Sequence, residues 1–174
     1  LPTLRRHRVG TLISISSIFG FVSKAEHMMY SAVKATAEKL TESYASLLGP
    51  LGIRTLIVES GGFRTKFPAN NTKADGGITA DYRGKIAEWM NFVDAAGKDP
   101  DLVNGDPEKF GASVVDVVEE QGLFQQLFAE HDNSQVLRIQ FGSDCYGMFG
   151  AKVEKLSSGY AKMANLAKST DVDN

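Results

Sequence analysis

Tyr30 and Lys34 stand four residues apart, a spacing that on a helix puts the phenol and the ammonium on one face. An unassisted phenol, with a pKa of about 10, is a poor proton donor or acceptor at neutral pH. A neighbouring cation stabilises the phenolate and brings its pKa toward the working range. Ser17 lies thirteen residues before Tyr30, at the expected C-terminal end of a strand, where open parallel sheets bind their ligands. Its hydroxyl would donate to a carbonyl oxygen gathering negative charge while Tyr30 delivers or removes the proton. Such Tyr-x-x-x-Lys pairs occur on many helices and carry little weight alone. Ser17 supplies the context. Gly20, three residues after Ser17, is expected to let the turn approach a ligand closely. A second strand end, running Ser60-Gly61-Gly62-Phe63-Arg64-Thr65, offers glycines, backbone N–H groups and a hydroxyl beside it.

These groups need elements to hold them. Leu12 to Ser16 and Ile53 to Val58 are short β-branched runs without polar alternation, which predicts inner parallel strands covered on both faces. Between them, Met29, Ala32, Val33, Ala37, Leu40, Tyr44 and Leu47 recur at helical steps opposite Glu38, Lys39 and Glu42. The pattern predicts a helix over 28–48. Gly49-Pro50-Leu51-Gly52 ends it. The result is a β-α-β unit. Ser60 to Gly77 reads as a long binding loop, followed by a helix over 82–93. Asp106 and Pro107 fit the N-cap and first position of another helix running to Val118. Val136 to Phe141 is a third strand candidate, and Tyr146 to Ala167 a terminal helix.

The 174 residues are 43% hydrophobic and 23% charged, as expected of one globular domain. The net charge of −2 excludes a whole-chain basic field, so neither nucleic acid nor an anionic membrane is an expected partner. Charge is uneven: residues 1–66 carry nine Lys/Arg against four Asp/Glu, and the remainder ten against seventeen. An acidic solvated surface accounts for the second part. Cys145 is the single cysteine and has neither a pairing partner nor a visible activating base, so a structural thiol in a reducing, cytoplasmic setting is expected. His7 and His131 lack metal-ligand spacing, and no metal is expected. His27, three residues before Tyr30, reads as a surface or helix-start histidine, with a place bordering the site as the alternative. Trp89, Phe92, Phe63 and Phe67 divide evenly between pocket lining and core. Arg5, Arg6 and Arg8 before an apolar run resemble a leader's basic region, but Gly10, Thr11, Ser14, Ser16, Ser17 and Gly20 interrupt that run.

From Leu1 to about Phe67 the sequence resembles the classical short-chain dehydrogenases/reductases (SDRs). Gly10-Thr11-Leu12-Ile13-Ser14-Ile15-Ser16-Ser17-Ile18-Phe19-Gly20 is similar to the family's active-site serine strand, and Tyr30-Ser31-Ala32-Val33-Lys34 to its Tyr-x-x-x-Lys helix. Gly105-Asp106-Pro107-Glu108-Lys109 and Leu137 to Asp144 extend the likeness more weakly. The resemblance implies Tyr30 as general acid/base, Lys34 as the group that lowers its pKa and binds the nicotinamide ribose, and Ser17 as holder of the substrate carbonyl. Gly61, Phe63 and Thr65 would contact the carboxamide and phosphate side of NAD(H) or NADP(H), with NADP(H) preferred. Ser60 stands where the family usually has proline.

The family's glycine-rich first turn is not found in the sequence. The expected fold is therefore α/β: a partial doubly wound parallel Rossmann-like sheet with flanking helices, its N-terminal cofactor half absent. About one hundred or more residues would lie upstream in a parent Rossmann domain. Within the one domain, residues 1–67 form the active-site segment, 68–135 the substrate loop and helices, and 136–174 the last strand and helix. The expected parent is an NAD(P)-dependent oxidoreductase acting on a small carbonyl or secondary alcohol, as a homodimer or tetramer. The chain alone is expected to be inactive and prone to aggregate. The alternative is a truncated non-catalytic product or dimerisation partner.

Overall fold

The computed structural model describes residues 1–72, 75–130 and 137–172. Helix α1 (Pro2–His7), carrying the basic run, leads into strand β1 (Thr11–Ile15) and a single helical turn, α2 (Ile18–Phe21). Helix α3 (Met28–Leu48) follows, and strand β2 (Arg54–Ser60) comes after a short 3-10 turn at Gly49–Leu51. Helix α4 (Arg83–Lys98) is a turn longer than its periodicity predicts. Helix α5 (Pro107–Glu119) starts as expected, because the Asp106 carboxylate accepts from the N–H groups of Glu108 and Lys109 at 2.9 and 3.2 Å. Helix α6 (Leu123–Glu130), strand β3 (Arg138–Phe141), helix α7 (Ser143–Ala161) and helix α8 (Ala164–Lys168) complete the order. His131 and Val136 lie outside the described residues, so the third strand is seen from Arg138 onward.

The sheet is parallel, in the order β1-β2-β3, with Ile13 opposite Leu56 and Val58 opposite Ile139. Its central strand is covered on both faces, and Thr55 to Glu59 are all buried. On one side Leu56 and Ile139 meet Val117 of α5 and Phe128 of α6, with Phe124 and Phe141 packed around them. Arg54 locks this side, donating to the carbonyls of Val117 and Val118 at the end of α5 and pairing with Glu120. Strand β1 departs from the expectation of an inner strand. Among the described residues it pairs with β2 alone, its first four residues are only half-buried, and Ile15 is exposed.

On the other side of the sheet α3 packs through its polar stripe rather than its apolar one. Met29, Val33, Leu40, Tyr44 and Leu47 face outward, whereas Ser31, Glu38 and Thr41 are buried. The physical reason is the surface that α3 meets. Thr55 and Glu59 of β2, together with Arg138 and Gln140 of β3, present polar groups on this face, so a polar stripe of the helix packs there.

Candidate active site

Ser17 sits just past the C-terminal end of β1, 6% exposed, as the N-cap of α2. Its Oγ accepts the Phe19 N–H at 3.3 Å, and its own proton is not used in that bond. Tyr30 and Lys34 occupy the first two turns of α3, with the Lys34 Nζ 5.8 Å from the phenol ring centroid. The same ammonium donates to the Ile15 carbonyl at 3.1 Å, which ties the helix to the strand end two residues before Ser17. All three sequence-derived catalytic candidates thus gather around the C-terminal end of β1. Phe67 approaches Tyr30, with ring centroids 6.1 Å apart.

A buried polar network that sequence reading missed supports this corner. Ser16 Oγ donates to Glu38 Oε1 at 2.5 Å. Arg138 reaches Glu38 at 2.8 Å and Glu42 at 2.5 Å and also pairs with Glu59, while Gln140 donates to Glu59 at 2.7 Å. Burial works against the charge on Arg138, but the hydrogen bonds to Glu38 and Glu42 and the charge of Glu59 outweigh it and hold the guanidinium protonated. Burial raises the Glu59 carboxyl, with the Gln140 hydrogen bond and the Arg138 charge as partial offsets. A hydrogen bond from Lys39 lowers Glu42 against its desolvation, assisted by Arg138. Only charge balance among residues a hundred positions apart would have revealed the network in advance.

Gly20 receives a different explanation from the expected one. A Cβ there would lie 1.9 Å from Glu38 Oε1 and 2.9 Å from Ser16 Oγ, so the glycine makes room for the buried carboxylate rather than for a ligand. His27 stands at the helix start, as the N-cap residue of α3, and is half-buried. Its ring stacks on Phe19 at 3.9 Å and lies 4.3 Å from Trp89 of α4, and both ring nitrogens are enclosed without a hydrogen-bond partner. Burial lowers its pKa, partly countered by Glu26, with Lys24 adding to the depression. Trp89 and Phe92 join this aromatic group, with their rings 5.3 Å apart.

The glycine loop after β2 adjoins the serine turn, because Ser60 Oγ donates to the Ser16 carbonyl at 3.2 Å. Serine in place of the family's usual proline therefore adds a tether here. The Gly61 N–H is already bonded to the Phe141 carbonyl. Phe63 pairs with Gly105 in an isolated bridge and packs on Phe110, and its side chain is half-buried. Thr65 Oγ1 accepts the Phe67 N–H at 3.3 Å. Cys145 is fully buried, donates to the Glu59 carbonyl, and is pushed up to about 12 by burial, which makes it a structural thiol.

A three-stranded parallel sheet flanked by helices is a Rossmann-like α/β architecture. The comparisons agree with it. Residues 1–76 match the family model for short chain dehydrogenase. A 3-ketodihydrosphingosine reductase of Bacteroides thetaiotaomicron is 30% identical over 120 residues, 68% of this chain and 43% of that protein. Retinol dehydrogenase 8 of Bos taurus is 28% identical over 104 residues, 60% of this chain and 28% of that protein. The crystal structure of a short-chain dehydrogenase from Streptomyces avermitilis superposes with a TM-score of 0.74 at 26% identity, covering 98% of this chain and 56% of that one. The chain belongs to the short-chain dehydrogenase family, and it spans less than half the length of the curated relatives it matches.

Proposed function

We propose that this chain carries the proton-transfer half of the active site of an NAD(P)-dependent oxidoreductase that interconverts a secondary alcohol and a carbonyl. The observation that carries the reading is the gathering of Ser17, Tyr30 and Lys34 around one strand end. A bound nicotinamide dinucleotide would supply or accept the hydride, held at its ribose by Lys34 and at its carboxamide and phosphate side by the loop bearing Gly61, Phe63 and Thr65. The residues present fit such a group. The Lys34 ammonium stands beside the Tyr30 ring, and Ser60 tethers the glycine loop to the serine turn.

In the reduction direction Ser17 donates its hydroxyl proton as a hydrogen bond to the substrate carbonyl and polarises it. The Tyr30 phenol gives its proton to the developing alkoxide, and the Lys34 ammonium stabilises the phenolate left behind. In oxidation the same groups run in reverse. Phe67, whose ring centroid lies 6.1 Å from that of Tyr30, would favour an apolar body on the substrate. Either NAD(H) or NADP(H) serves the proposal, with NADP(H) slightly preferred.

The edge of β1 that is unpaired among the described residues supports a further part of the reading, in which another segment pairs there and contributes the dinucleotide's pyrophosphate site. The outward apolar stripe of α3 is the proposed subunit interface of a homodimer or tetramer. The testing experiment is dinucleotide-dependent turnover of a panel of ketones and secondary alcohols, with NADH and NADPH in parallel. Turnover with either supports the reading. Failure to bind or use both favours the alternative, a non-catalytic dimerisation partner.

A further inference from the structure

Asp144, in the first turn of α7, lies against the Gly61-Gly62 loop although 82 residues separate it from Gly62. Its Oδ2 accepts the Gly62 N–H at 2.8 Å. A Cβ on Gly61 would fall 2.1 Å from Oδ1, and one on Gly142 would fall 2.6 Å from the same oxygen. The carboxylate therefore occupies a recess that exists only because the backbone beneath it bears no side chains. Elsewhere the loop is tied down by Gly105, whose N–H donates to the Gly62 carbonyl at 3.1 Å and whose carbonyl accepts the Arg64 N–H at 2.8 Å. Two adjacent glycines have unusually wide conformational freedom, and the bond to Asp144 removes it on the side facing α7.

We infer that Asp144 is a positioning residue: its carboxylate, bonded to the Gly62 N–H, sets the Gly61–Thr65 loop in the shape that receives the dinucleotide. This rests on the cofactor reading proposed above. In this chain the tethers from Asp144 and from Ser60 restrain a loop that lacks a proline ring.

The test uses the full chain with Asp144→Ala, Asp144→Asn, Gly61→Ala and the double variant Gly61→Ala/Asp144→Ala. Amide hydrogen exchange reports the loop directly, and NADH and NADPH titrations, done well below melting, report its consequence. Asp144→Ala is expected to speed exchange at residues 61–65 about tenfold or more while β2 and α3 stay protected, with Asp144→Asn recovering part of the protection. Dinucleotide affinity is expected to weaken by a similar factor, about tenfold. Gly61→Ala alone is expected to lower the melting temperature, and removal of the Asp144 carboxylate to relieve much of that loss, since the clash is between those two groups. Unchanged exchange in Asp144→Ala, or additive effects of the two substitutions, overturns the inference. Faster exchange with unchanged affinity overturns the positioning role while leaving the cofactor reading intact. If the unaltered chain binds neither dinucleotide, the cofactor reading falls, and with it the positioning role toward a cofactor. The exchange data then still decide whether Asp144 clamps the loop.

Discussion

Ser17 has two separable duties, one in folding and one in the proposed chemistry. Its Oγ caps α2 by accepting from Phe19, and its proton is directed to chemistry in the proposed reaction. Ser17→Ala is expected to cost about 1 kcal/mol in stability through the lost cap, whereas turnover should fall about a hundredfold through the lost donor. Thermal melts and steady-state rates on the same preparation separate the two effects. Gly20→Ala acts only on structure, because its new methyl group meets the buried Glu38 carboxylate. Overpacking of this kind costs about 1–3 kcal/mol, to be read from denaturant unfolding. His27 gives a pH signature. Burial depresses its folded-state pKa below the ordinary value of 6.5, so the unfolded chain takes up the proton first. Stability contributed by neutral His27 is fully present above that value and is lost as pH falls through the lower folded pKa. His27→Phe, which keeps the stack on Phe19, should flatten that part of the melting-temperature profile. At this scale the sequence was readable where the chemistry depends on spacing, as for Ser17, Tyr30 and Lys34. It was not readable where a residue's partner is remote, as for Glu38 with Arg138 or Gly62 with Asp144.

Helix α3 shows why hydrophobic periodicity locates an element without assigning its faces. The period is helical and the bounds match residues 28–48, but periodicity cannot say which stripe faces the protein. Here the sheet offers Glu59, Arg138 and Gln140 to the helix, and the polar stripe answers it. The short helices α1 and α6 were missed for a related reason, since 6 and 8 residues carry too little periodic signal. Arg138 holds the helix-sheet interface together electrostatically. Arg138→Met is expected to lower stability by about 3–5 kcal/mol, because Glu38 and Glu59 lose their counter-charge while remaining buried. Adding Glu59→Gln should recover part of that loss in urea unfolding, since one of the orphaned charges is removed. On the outer face, Leu40→Glu is expected to reduce the assembly to a smaller species in sedimentation, if that stripe forms the proposed subunit interface.

For the whole molecule, the two faces of the sheet differ in how they are stabilised. One is closed by the apolar group around Leu56, Val117, Phe128 and Ile139, and the other by the ionic network. The parallel α/β class was legible because the β2 run is apolar throughout its centre, as a doubly covered strand requires. The edge position of β1 was not legible, because an apolar strand reads alike whether or not a neighbour pairs with it. No helix of the described residues is long and apolar enough to cross a membrane. Exposed backbone along β1 and exposed apolar side chains on α3 predict concentration-dependent self-association of this chain, measurable by sedimentation velocity. A monomer that stays monomeric at high concentration and melts sharply would count against the proposed partner surfaces.

The central claim is that Tyr30, assisted by Lys34, transfers the proton in a dinucleotide-dependent alcohol–carbonyl exchange. The most direct measurement is the turnover of Tyr30→Phe beside the unaltered protein, with each variant's melting curve recorded. The account predicts a fall of about a hundredfold or more with little change in melting, since the substitution removes one oxygen from a half-buried ring. Turnover retained by a folded Tyr30→Phe protein would contradict it.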